Sequence, residues 1–368
     1  MTDTISSITP YVIPAEPIQN QWWARKAYVL VRVETNDGIV GWGESHLLNF
    51  REDAMVVIIK RLSEWVVGRP AGEIRSITQD AFGQFGQQRP GPEVYSAFAG
   101  IEIALWDILG QRLGVPVYEL LGGSCHKTLP VYANIYTPNT HTPSAFADMA
   151  EQMLAKGHTR IKLYPFSHNT PLEQGISILE AVHTAVGTNA RLAVDLWRHA
   201  TPSRALELAR AMEPFDLLWI EDPFAPNDAA SMAYLRNAIK QPLLTGETLP
   251  TRREFTDLFE RRAVDMINPD ICFSGILELQ AIAAMVEPGN ISLSPHNANS
   301  MALGTMAAMH ASAGITNLGP IEYFPLFETV LDDVCAGRPQ IQSGAVGIPS
   351  GPGLGLDFDE KAMKTFKV

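Results

Sequence analysis

The sequence predicts an α/β fold: a closed parallel barrel of (β/α)8 type with a smaller α+β domain. Three observations predict it. Acidic or imidazole side chains recur at Asp195, Glu221, Glu247, Asp270, His296 and Glu322, every 26 residues but for one step of 23. Each ends or lies inside a short apolar run: LAVDLW, LLWIEDP, LLTGETL, DMINPDI, ISLSPHN and LGPIEYF. The intervals leave room for helices such as PLEQGISILEAVHTAVG and SRALELARAM. In a parallel barrel the C-terminal strand ends meet at one mouth, so these six residues are expected to converge there.

Taken in order, residues 7–13, 27–34 and 39–44 read as strands, and Asn36-Asp37-Gly38 supplies a hairpin turn between the second and third. The loop before the second strand carries Trp22-Trp23, either a binding surface or an aromatic anchor on its own domain. Residues 52–67 are helix-like, and 72–90 read as a helix passing into a Gln- and Gly-rich loop. Residues 93–113 form the clearest helix, with Phe98, Ile101, Leu105 and Ile108 at helical spacing and Gly114 as a stop. Glu102 and Asp107 on it are expected to be surface or ion-pair residues. A Gly-Gly turn near 123 places a domain boundary at about residue 125.

From Leu129 the pattern becomes strand–helix alternation: strand 129–137, helix 144–157, strand 159–166, then the six strands above, eight in all. Residues 126–325 are assigned to the barrel. The remainder, 326–368, lacks the period and is expected to return to the first domain.

The 368 residues are 46% hydrophobic, enough for a large core, and the net charge of −12 argues against nucleic acid or an anionic membrane as partner. Cys125, Cys272 and Cys335 are too few and too scattered for a disulfide framework. The first residues lack a basic segment and an apolar core, and no uninterrupted apolar run is long enough to span a bilayer. A cytoplasmic protein, forming a homo-oligomer as soluble enzymes commonly do, is expected.

Three carboxylates on adjacent strand ends, Asp195, Glu221 and Glu247, suit a hard divalent cation such as Mg²⁺. Strand-end acids also cap helices or pair with bases, but three at matched spacing favour a metal. Asp270 and His296 fall on consecutive strands, the arrangement of a general base and the group that orients it. Lys162 and Tyr164 are two apart and face the same side of the second strand. A barrel-facing lysine needs a counter-charge, supplied by a substrate carboxylate or by the metal-site acids. Lys162 and His296 are expected on opposite sides of the mouth. Together these residues suit removal of a proton α to a carboxylate, with Mg²⁺ and Lys162 stabilising the dianion formed.

SAFAGIEIALWDILGQRLGVPVYELLGG, WIEDPF, LLTGET, INPDICFSG and GPGLGL together resemble the enolase superfamily in its mandelate racemase-like branch, over nearly the whole chain. The resemblance implies a capping domain built from both chain ends over a modified TIM barrel, (β/α)7β. It implies Mg²⁺ on Asp195, Glu221 and Glu247 and a His296–Asp270 acid/base pair. It also implies that Glu322 contacts the substrate carboxylate, and that the Trp22-Trp23 loop and the loop near His46–Arg51 set specificity. Relatives often carry Lys-x-Lys on the second strand; here it is Lys162-x-Tyr164. Tyrosine is a weak base near neutrality, which leaves one clear base, His296. That favours elimination of water from a sugar acid over racemisation, with Tyr164 or Lys162 as alternative acids. Trp197, where relatives commonly carry a polar residue, is expected to narrow the pocket. The rival readings are an epimerase or cycloisomerase of acid sugars or their lactones, and a non-catalytic binding protein on the same fold.

Overall fold

The computed structural model describes residues 3–14, 26–46, 49–84, 91–136, 140–166, 170–297, 300, 302–325, 330 and 332–368. Trp22 and Trp23 lie outside them.

The antiparallel sheet that begins the chain consists of β1 (Ile5–Pro14), β2 (Ala27–Thr35) and β3 (Val40–Ser45), in that spatial order. Strand β2 is apolar on both faces because both are covered. Val29, Val31 and Val33 pack with helices α1 (Glu52–Val66), α2 (Ile74–Gln84) and α3 (Pro92–Leu113), whereas Tyr28 and Leu30 join the large core continuous with the barrel. Helix α3 is apolar nearly all round, since it lies between the sheet and the barrel. It approaches β3 so closely that a Cβ at Gly43 would sit 1.8 Å from the Gly100 carbonyl oxygen. A short helix, α4 (Val117–Leu120), leads out of this capping domain.

Glu102 and Asp107 are neither surface nor ion-pair residues. Both are buried and accept N–H groups. Glu102 takes the Leu277 backbone N–H at 2.9 Å and the Trp106 indole N–H at 2.8 Å. Asp107 takes the backbone N–H groups of Trp42 and Leu354, at 3.0 and 2.8 Å. Burial raises their pKa values, to about 7 and about 6.

The barrel strands are β4 (Thr128–Ile135), β5 (Arg160–Leu163), β6 (Arg191–Asp195), β7 (Ile220–Glu221), β8 (Leu243–Thr245), β9 (Met266–Ile267), β10 (Ser292–Leu293) and β11 (Ile321–Tyr323), all parallel. Strand β11 pairs with β4, and the Leu293–Leu318 bridge with the Glu322 N–H to Pro295 C=O bond (3.0 Å) closes the last seam. The crossovers carry α5 (Pro143–Ala155), α6 (Leu172–Val186), α7 (Pro202–Met212), α8 (Ala229–Ala238), α9 (Arg252–Glu260), α10 (Ile271–Val286) and α11 (Ala302–Ser312), which makes the barrel (β/α)7β. The side chains of Thr142 and Thr201 cap α5 and α7, each ahead of a proline at the first helical position.

Residues Ile271–Gly289 are long and apolar enough on average to cross a membrane, although Glu278, Gln280 and Glu287 interrupt the apolar run. Their hydrophobicity has another cause: α10 is wedged between α3, α9 and α11. It is broken at Gly275, where φ is +80°. Glu102 receives the Leu277 N–H that this break frees.

After the barrel the tail divides its contacts. Strands β12 (Cys335–Ala336), β13 (Ile341–Gln342), β14 (Ala345–Gly347) and β15 (Asp357–Phe358) precede a last short helix, α12 (Glu360–Met363). Strand β14 pairs antiparallel with the first residues of β4, so this part of the tail extends the barrel sheet rather than the cap. Further on the chain reaches the cap. Phe358 stacks on Trp42 (4.7 Å), Glu360 pairs with Arg32 (2.9 Å) and Lys367 bridges to Tyr11.

Candidate active site

The barrel interior is layered by the period-two rule of its strands. Tyr132, Ala193, Trp219 and Leu244 form an apolar layer. Two residues further along, Asn134 on β4 and Glu221 on β7 begin a polar layer, to which Lys162, Asn268 and Glu322 also contribute. Lys162 is fully buried. Its ammonium lies 2.7 Å from Glu221 Oε1, 2.9 Å from Glu322 Oε1 and 3.5 Å from Asp195 Oδ2. Of the two readings of Lys162, the arrangement is that of a lysine paired with strand-end acids.

Asp195 and Glu221 are register partners on adjacent strands. With Glu247 they place one carboxylate oxygen each within 4.8 Å of one another. Asp195 accepts the Trp197 backbone N–H (2.7 Å), and Glu221 also accepts from Trp219 Nε1 (2.9 Å) and Asn268 Nδ2 (3.0 Å). Glu247 receives Arg198 Nη1 at 2.6 Å and lies 2.9 Å from His296 Nε2. Burial raises the pKa values of Asp195 and Glu221. Carboxylates crowded in a low-dielectric interior thus gain by taking up positive charge. The three oxygens, with no thiol among them, fit a hard divalent cation.

Asp270 and His296 are also neighbours in register. His296 Nδ1 stands 2.7 Å from Asp270 Oδ2, and the other Asp270 oxygen accepts the Cys272 N–H at 2.8 Å. Burial favours neutral imidazole, but the Glu322 and Glu247 carboxylates outweigh it and raise the pKa of His296. Glu322 is buried with its oxygens already engaged: Oε1 by Lys162 and Asn134 (2.8 Å), Oε2 by the Asn297 N–H (2.9 Å). Glu322 Oε2 also lies 3.4 Å from His296 Nε2. Lys162 and His296 are therefore joined through one carboxylate rather than parted by the width of the mouth.

The Tyr164 hydroxyl accepts a hydrogen bond from Asn134 Nδ2 (2.8 Å), and burial pushes its pKa well above the usual phenol value. Trp197 is 42% exposed, with φ +43° and its indole edge-on to the His199 ring at 5.2 Å.

The sequence reading missed Asn134, Asn268, Arg198 and Asp222. The asparagines had a signal: a polar residue two positions from an inward-facing one, on short apolar strands. Arg198 and Asp222 had none. Their ion pair joins two turns with positive φ, +62° and +41°, and Asp222 also accepts from Thr245 Oγ1. Burial, with Glu247 beside it, raises Asp222 to about 7. His46 comes from the cap, at the end of β3, with Nδ1 3.5 Å from Asp270 Oδ2.

Comparison with known proteins agrees with this architecture. Residues 6–122 match the mandelate racemase / muconate lactonizing enzyme N-terminal domain, and residues 145–362 match the enolase C-terminal domain-like family. The chain is 30% identical to D-xylonate dehydratase of Haloferax volcanii, across 93% of this chain and 85% of the relative. It is 26% identical to D-gluconate dehydratase of Thermoproteus tenax, across 99% and 74%. Among solved structures, the 3,6-anhydro-D-galactonate cycloisomerase from Zobellia galactanivorans superposes with a TM-score of 0.90 at 26% identity, covering 99% of each chain. A closed (β/α)7β barrel, a cap drawing on both ends of the chain and matches to both domain families place the protein in the enolase superfamily, in its mandelate racemase/muconate lactonizing enzyme branch.

Proposed function

We propose that the protein is a Mg²⁺-dependent dehydratase of sugar acids, removing the proton α to the carboxylate and expelling the β-hydroxyl to give a 2-keto-3-deoxy acid. The observation that carries the reading is the pairing of an all-oxygen triad, Asp195, Glu221 and Glu247, with an imidazole oriented by a carboxylate, His296 on Asp270. Relatives named as D-xylonate and D-gluconate dehydratases support it.

Asp195, Glu221 and Glu247 would hold Mg²⁺, which supplies electrostatic stabilisation to the dianion formed when the α-proton leaves. Lys162 holds a fixed positive charge beneath the triad and keeps Asp195, Glu221 and Glu322 in place. His296 takes the α-proton at Nε2, because Nδ1 is committed to Asp270. Sharing the charge of Glu247 with a cation weakens the pull that keeps His296 protonated. Tyr164 serves position rather than proton transfer, since a phenol with a raised pKa is a poor acid and is not ionised to act as a base.

A cycloisomerase or epimerase of acid sugars is the second reading, favoured by the Zobellia galactanivorans neighbour. Mono- and diacid sugars incubated with the protein and Mg²⁺ in D₂O separate the two. Keto-acid formation is expected. Exchange of the C2 hydrogen, or a rearranged lactone, without keto acid would select the isomerase.

A further inference from the structure

Among the described residues, neither Lys162 nor Tyr164 is well placed to protonate the departing hydroxyl. Lys162 is buried among carboxylates, and the Tyr164 hydroxyl, which accepts from Asn134 Nδ2, holds its own proton tightly because burial raises its pKa. A second imidazole faces Asp270. His46 Nδ1 stands 3.5 Å from Asp270 Oδ2, the oxygen that also meets His296 Nδ1 at 2.7 Å. The two rings are 6.5 Å apart between centroids and inclined at 52°. The His46 backbone N–H is fixed to the Cys272 carbonyl at 2.9 Å, and its ring lies 6.0 Å from that of Phe273. The His46 side chain is 22% exposed against 5% for His296, so it borders solvent while sharing the partner of the base.

We propose that His46 is the general acid of the elimination, protonating the leaving C3 hydroxyl while His296 takes the C2 proton. The proposal rests on the dehydratase reading. The C2–H bond breaks to Nε2 of His296, and its electron pair forms the C2=C3 bond. The C3–O bond breaks, and the oxygen leaves as water with the proton of His46. The enol then tautomerises to the 2-keto-3-deoxy acid, His46 regains a proton from solvent and His296 gives one up, so no other reactant is consumed. Asp270 serves both rings. Burial alone would raise its pKa, but the His46 and His296 imidazoles outweigh burial and bring it down to about 2, so it stays an anion able to support a proton on either. The acid comes from the cap, so a barrel without its docked cap can abstract the proton but cannot expel the hydroxyl.

The test is His46→Gln with Mg²⁺ in D₂O, on the sugar acid that the unmodified protein converts to keto acid. Keto-acid formation is expected to fall by about 100-fold or more, the scale of general-acid catalysis. Exchange of the C2 hydrogen in recovered substrate is expected to persist. Unchanged keto-acid formation overturns the role of His46. Parallel loss of exchange and elimination overturns it as well, leaving His46 to position His296 through Asp270. Should Gln at position 46 impair folding, the unmodified protein answers through the 3-deoxy-3-fluoro analogue. The limb of the pH–rate profile set by the acid is expected for hydroxyl and absent for fluoride; the same limb for both overturns the proposal. If the unmodified protein forms no keto acid from any sugar acid, the dehydratase reading itself falls, a result separate from a failure of His46 alone.

Discussion

Glu102 of the capping helix α3 accepts the backbone N–H of Leu277, freed by the break of barrel helix α10 at Gly275. Burial raises this carboxyl from 4.5 to about 7. Between those values the unfolded chain has lost a proton that the folded chain keeps, so stability falls as pH rises through the window. The contribution is fully present below pH 4.5 and gone above about 7, with an upper bound of about 3 kcal/mol. Glu102→Gln keeps the acceptor without the titration. Urea unfolding of both proteins at pH 5 and pH 7.5 is expected to show Glu102→Gln gaining on the unmodified protein at the higher pH; a difference independent of pH refutes this.

His296→Asn is expected to lower turnover by roughly 10²–10⁴-fold, the usual worth of a general base. Circular dichroism is expected to be unchanged, and Mg²⁺ binding is expected to persist and to tighten rather than weaken, since His296 no longer pairs with Glu247. Near-normal keto-acid formation by this variant would show that another group takes the proton.

Glu247→Gln is expected to weaken Mg²⁺ binding by more than the roughly 10–100-fold cost of altering an outer-shell group. Isothermal calorimetry of the purified protein reads this without reference to activity. Equal affinity would remove Glu247 from the ligand set.

Lys162→Met leaves Asp195, Glu221 and Glu322 facing one another without their buried cation. Removing one partner of a buried ion pair typically costs about 3–5 kcal/mol, and Mg²⁺ is expected to restore part of it. Denaturant unfolding with and without Mg²⁺ measures both. A variant as stable as the parent would mean that these carboxyls bind protons instead.

Tyr164→Phe removes one hydrogen bond to Asn134, worth about 1 kcal/mol, and is expected to reduce turnover by less than about tenfold. A loss on the scale of His296→Asn would put the phenol in the chemistry.

Strand-end residues were legible because a parallel barrel converts spacing along the chain into position around the mouth. Asp195, Glu221 and Glu247, and then Asp270 with His296, follow from a period near 26 and short apolar runs. What escaped depends on geometry that no period encodes. Arg198 reaches Asp222 and Glu247 through turns with positive φ at non-glycine residues. His46 meets Asp270 only because the cap docks where it does. Glu102 and Asp107 were misplaced because helical spacing marks one buried face, while α3 is buried on nearly all of them. The β13–β14 hairpin did have a signal: Ser343-Gly344, both with positive φ, is a two-residue turn of the kind that joins twisted strands.

The split course of the tail bears on how the protein is made. Tyr11 and Trp42 emerge from the ribosome early, yet their partners Lys367 and Phe358 are synthesised only after all eight barrel strands. The cap cannot be completed until the barrel has already left the ribosome. Until then the Trp42 ring lacks the Phe358 ring that stacks on it in the finished fold.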